Sequence, residues 1–127
     1  HPSNGRTPYL VENTINIDTF NPASGDVIQA LDIPAETLIM QAGIEVITAL
    51  SSSVTMDLGI TGGDVDNFVD GDGNGTGYSV LTATANLVVA SADTLDILTG
   101  GAQSTVGKVR VWAVLCDVSG IDETDHN

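Results

Sequence analysis

Apolar and polar residues alternate with a period of two through most of the chain, the mark of strands with one dry and one wet face. In the cleanest case, Val54, Met56, Leu58 and Ile60 interleave with Thr55, Asp57 and Gly59. Upstream, Leu38, Met40, Ala42, Ile44, Val46 and Leu50 are expected on one face of a longer strand, with Gln41, Glu45 and Ser51 on the other. Gly43 is expected to mark a bulge there. Val11, Ile15 and Ile17 oppose Glu12, Thr14, Asn16 and Asp18, and a strand over Val27–Ile33 is stopped by Pro34, which has no N–H to donate. Tyr78–Thr84, Leu87–Ala90, Asp93–Thr99 and Lys108–Val118 complete a set of about eight strands.

Turn-forming clusters separate these runs: Asn21–Asp26, Thr61–Asp64, the glycine-rich Asp70–Gly77 and Gly100-Gly101. Glycine supplies positive φ there, and Asn or Asp supplies local hydrogen bonds. Helix is expected only as a short turn, near Ala35–Leu38 or Val65–Val69. Short strands spaced roughly 8 to 12 residues apart predict an all-β fold, an antiparallel β-sandwich or jelly roll, with a small barrel as the other option. Residues 1–9 read as an N-terminal arm, 10–119 as the β-sandwich domain and 120–127 as an acidic C-terminal tail.

Composition narrows the picture. Val, Ile and Thr occupy 38 of 127 positions, while Lys, Arg and Glu together occupy 7, which excludes an all-helical fold. The formal charge of −14 sets a negative field over the surface, so direct nucleic-acid binding is not expected. No apolar run approaches the ~20 residues of a membrane-spanning helix, and no membrane partner is expected. A single cysteine, Cys116, forms no internal disulfide, and its apolar surroundings predict a buried small hydrophobe. Initiator-methionine removal does not leave a histidine such as His1 at the start, so upstream processing is expected, or residues preceding this numbering.

Candidate chemistry is sparse. Asp70-Gly71-Asp72-Gly73-Asn74-Gly75 matches the first half of an EF-hand loop, but Leu81 stands where a bidentate carboxylate belongs. Two readings stay open: a loose calcium site on Asp70, Asp72 and Asn74, with help from Asp64 or Asp66, or a solvated turn. Asn74-Gly75-Thr76 fits a glycosylation sequon, and no glycan is expected. His1 and His126 are terminal, serine lacks a nucleophile elbow, and no phosphate-cradling loop precedes a lysine. No catalytic residues, no enzyme activity and no cofactor beyond that possible calcium are expected. The aromatics Tyr9, Phe20, Phe68, Tyr78 and Trp112 are too few for an extended sugar or base platform.

The last strand is heavy on both faces. Val109, Val111, Ala113 and Leu115 share one side, and Lys108, Arg110, Trp112, Val114 and Cys116 share the other. It gathers two of three cations and the only tryptophan, residue types favoured as interface anchors. Arg6 and Tyr9 on the arm join Lys108, Arg110 and Trp112 as candidate interface residues. The alternative is that Lys108 and Arg110 only neutralise neighbouring carboxylates.

Ser24–Ala35, Thr37-Leu38, Gly43-Ile44-Glu45-Val46, Thr55–Gly59, Phe68–Asn74 and Lys108–Val114 resemble phrases of small virion proteins of tailed bacteriophages, particularly marine and cyanobacterial ones. The resemblance spans about residues 10 to 118 and carries no catalytic signature. It implies a structural role: a capsid decoration or cement protein, homotrimeric, on the outer capsid surface, with the major capsid protein as partner. An acidic chain suits the outside of a shell better than the neighbourhood of packaged DNA. The competing class is a receptor- or carbohydrate-binding module on a tail or fibre, presenting the Asp64–Gly77 loop. A bacterial surface or adhesion domain is a third option.

Overall fold

The structure is a computed structural model that describes residues 6–60, 68–72, 77–80 and 87–119. Nine strands are described among them: β1 (Tyr9–Asn16), β2 (Val27–Ile33), β3 (Thr37–Thr48), β4 (Thr55–Ile60), β5 (Val69–Asp72), β6 (Gly77–Val80), β7 (Leu87–Val89), β8 (Asp93–Gly100) and β9 (Lys108–Asp117). One short helix, α1 (Ile17–Phe20), follows β1. The first sheet runs β1-β9-β3-β6, with β7 also pairing β3; the second runs β2-β8-β4-β5. All pairings are antiparallel. The chain crosses repeatedly between the sheets, and their facing apolar sides make an all-β sandwich.

The core follows from the alternation. Ile39, Ile44, Val109, Val111, Ala113 and Leu115 of the first sheet are fully buried, as are Met56, Leu58, Leu95 and Ile97 of the second. Each such aliphatic side chain contributes ~1.5–3 kcal/mol by leaving water. β9 lies between β1 and β3, so both of its backbone edges are bonded. Ile17, wholly buried, lies at the turn that carries the chain from the first sheet to the second, and its amide donates to the Gly107 carbonyl at 2.9 Å. Asn13 Nδ2 donates to the Ala30 carbonyl at 2.8 Å and ties edge strand β1 to the bulge of edge strand β2.

Four expectations need correction. The helical turn is at Ile17–Phe20, where Asn21 adopts the left-handed conformation and its amide closes on the Ile17 carbonyl at 2.9 Å. At Ala35–Leu38 the chain instead enters β3, and 65–67 lie outside the described residues. Val69–Asp72 is a strand paired with β4, although its Asp and Gly read as a turn. Gly43 is in regular register; the bulges of β3 fall between Ile39 and Gln41 and between Val46 and Thr48. The first bulge reverses the phase of the strand, so Ile39 rather than Leu38 and Met40 joins Ala42, Ile44 and Val46 in the core. The expected Tyr78–Thr84 strand is described over Gly77–Val80, and 81–86 lie outside the described residues.

Candidate functional site

The outward side of the first sheet concentrates the distinctive residues of the chain. β9 turns Val109, Val111, Ala113 and Leu115 inward, which leaves Arg110, Trp112, Val114 and Cys116 partly exposed on the outer face. Register then places their neighbours. Leu10 of β1 lies beside Val114, which faces Gln41 of β3; Cys116 faces Leu38, which in turn faces Val88 of β7. Leu10 is 60% exposed, Val88 55% and Met40 of the bulge 42%. One end of this face is therefore an apolar surface presented to solvent. Cys116 belongs to it and is not buried as expected: it stands on the outward-facing side of β9, and its thiol is free.

The other end is charged and balanced. Arg110 Nε donates to Glu45 Oε1 at 2.9 Å, Nη2 also donates to that oxygen, and Nη1 lies 3.5 Å from Glu12 Oε1. Arg110 thus joins β9 to both of its neighbours, which is the neutralising role left open for it above. Between the two ends, Trp112 lies over Gly43. A Cβ at Gly43 would fall 2.7 Å from Trp112 Cζ2 and 2.9 Å from Cε2, so the bare backbone of β3 is what accommodates the indole. The sequence reading missed Gly43, Glu12, Glu45, Leu10, Leu38 and Val88 as parts of this face, because only the β1-β9-β3-β7 strand order brings them together.

The remaining candidates lie at the margins. Lys108 is exposed at the start of β9. Arg6 reaches the far end of that strand, where Nη1 donates to the Asp117 carbonyl at 3.1 Å and lies 3.9 Å from its carboxylate. Tyr9 pairs with inward-facing Leu115, so it points to the side opposite Trp112 and is exposed at the sheet edge. Hydrogen bonds from the Ser119 hydroxyl and amide, with Arg6 adding its charge, hold the Asp117 carboxyl below its usual range. A depressed carboxyl adds stability that is present above its unfolded pKa and lost as pH falls through the folded value. Ser119→Ala is therefore expected to move the Asp117 midpoint upward toward the ordinary value, as read by carboxyl-carbon NMR against pH.

No catalytic constellation is assembled among the described residues. His1 and His126 lie outside them, as do Asn74, Asp64 and Asp66 of the possible calcium site. The backbone of Asp70 and Asp72 runs in β5. No three His, Cys, Asp or Glu side chains gather among the described residues. An open depression is lined by Asp32, Ile33, Pro34, Ala92, Asp93 and Thr94 at one end of the second sheet. No helix among the described residues is long and apolar enough to cross a membrane.

No protein-family model and no curated protein matches the sequence. Solved structures do match by fold. The chain is similar to a chain of the cyanophage Pam1 capsid asymmetric unit, with TM-score 0.70 and 13% identity over 91% of this chain and 89% of that one. It is similar to a chain of the Ralstonia phage GP4 capsid, with TM-score 0.68 and 17% identity over 94% and 87%. A chain of the acid-stable capsid of Helicobacter pylori bacteriophage KHP30 matches with TM-score 0.65 and 12% identity over 86% of each. At these identities what the chain shares with them is the fold, over nearly the whole length of both partners.

Proposed function

We propose that this chain is a non-enzymatic structural protein of a bacteriophage virion: a decoration or cement protein on the outer head surface that stabilises the shell by bridging subunits of the major capsid protein. The observation that carries the reading is the match to chains of three phage capsids, each covered over 86% or more of its own length. The likeness is therefore to whole small chains and not to a module inside a large subunit. Two features of the molecule agree with contact as its mode of action. Its most distinctive surface is a sheet face with exposed apolar residues, and its charge of −14 suits a position away from packaged DNA. The homotrimer is part of the same reading.

The test uses heads with and without the protein. Heads that lack it are expected to release their DNA at a temperature several degrees lower, and adding back the purified chain restores the difference. Cryo-electron microscopy of the restored heads is expected to place it on the outer surface, across junctions between subunits. Unchanged release temperature, or density confined to the tail, refutes the cementing role.

A further inference from the structure

Charge is divided unevenly between the two sheets. The strands β2, β4, β5 and β8 of the second sheet carry Asp32, Asp57, Asp70, Asp72, Asp93 and Asp96 and no cation. The strands β1, β3, β6, β7 and β9 of the first carry Glu12, Glu45 and Asp117 together with Lys108 and Arg110, and Arg6 is bonded to Asp117. All three lysine and arginine residues therefore stand on or against the first sheet, where Arg6 and Arg110 pair with its carboxylates. Two molecules of net charge −14 repel each other over most of their surfaces. The outer face of the first sheet is where strand carboxylates are balanced by cations, so copies meet there against the least repulsion, and it also presents Leu10, Met40, Val88, Val114 and Trp112 for burial. A basic partner has no such preference, since the acidic second sheet attracts it more strongly.

We propose that this face is the surface through which copies of the chain associate, centred on Trp112 and Val114. The inference rests on the structural-protein reading above for its setting, and names the contact by which copies pack beside one another. Strand spacing gives β1, β9 and β3 a face of about 14 by 33 Å, to which the three residues of β7 add about 5 by 10 Å, roughly 500 Å² in all. Counted on both partners this is about 1,000 Å², the low end for a specific interface, so association is expected at moderate concentration.

The test is sedimentation of the full chain over a concentration series, with Trp112 emission as a second readout, since it is the only tryptophan. Association is expected to shift the emission to shorter wavelength. It is also expected to strengthen by about tenfold between about 0.02 and about 0.5 M NaCl, as salt screens the acidic remainder. Val114→Glu and, on the neighbouring strand, the more exposed Leu10→Glu are each expected to weaken association by at least about tenfold. Val27→Glu, the same charge change at an exposed residue of the second sheet, is expected to change it much less. Circular dichroism verifies the fold of each variant. A chain that stays monomeric to about 1 mM at high salt overturns the proposal, as does association that salt weakens or that Val27→Glu impairs equally. If the chain is monomeric in solution but Val114→Glu loses binding to heads, the face belongs to the shell subunit, and this inference fails while the cementing role stands. If the chain never binds heads but its self-association is lost in Val114→Glu, the cementing role fails while this inference stands.

Discussion

Gly101→Ala is expected to lower stability by about 3 kcal/mol or more, read as a fall in urea midpoint at unchanged slope. Gly101 follows β8 directly at φ +81°, where the chain leaves for the other sheet, and a Cβ there would lie 1.9 Å from the Ser53 carbonyl oxygen and 3.2 Å from its carbon. The obstacle is backbone, in a bend where Ser53 itself holds φ 70°, and both bends flank the register pair Thr55–Gly100 that opens the β4-β8 ladder. Neither segment yields without breaking that ladder. Left-handed backbone alone costs a residue with a side chain ~1–2 kcal/mol, and forced overpacking a further ~1–3 kcal/mol. Against a total stability of roughly 5–15 kcal/mol, the sum removes a large share. Gly25→Ala separates the two terms: Gly25 has φ +95° but no atom within 4 Å of its Cβ position, so only the backbone cost of ~1–2 kcal/mol is expected there. Equal losses in both variants would falsify the clash.

The strands were legible where alternation meets a single buried face. Val27–Ile33 and Asp93–Gly100 emerge within a residue of their expected ends, and the two-faced reading of β9 matches its observed burial. What escaped has physical causes. Val69–Asp72 is rich in Asp and Gly, which disfavour strands, and its pairing comes from β4, not from its own propensity. A single turn such as Ile17–Phe20 is too short to display a helical period. The bulge at Met40 inverts which of two equally apolar sets, Leu38 and Met40 or Ile39, faces inward, and local pattern does not choose between them. The candidate face was half visible. Trp112 and Arg110 stood out by scarcity, but their partners Gly43, Glu45 and Glu12 lie 65 or more residues away in sequence and meet them only through strand order. The sheet-by-sheet charge imbalance was hidden for the same reason.

Gly43→Val is expected to disturb that face while leaving the fold in place. The ring atoms of Trp112 lie 2.7, 2.9 and 3.1 Å from where a Cβ would stand, and a branched side chain adds two further carbons in the same space. β3 is held by β9 on one side and by β6 and β7 on the other, so its backbone does not retreat; the indole, on the solvent side of the sheet, is what moves. Aromatic cover over a cross-strand glycine is lost, and the cost is expected at about 2 kcal/mol. Trp112 emission shifts to longer wavelength as the ring enters water. If Trp112 is the centre of the contact between copies, self-association falls by at least about tenfold as well. Because Val is a good strand former, and the core residues Ile44 and Val111 lie on the opposite side of the sheet, the far-ultraviolet spectrum is expected to persist. A variant with unchanged tryptophan emission would mean that the indole does not rest on Gly43, and with it the geometry of the proposed contact would have to be abandoned.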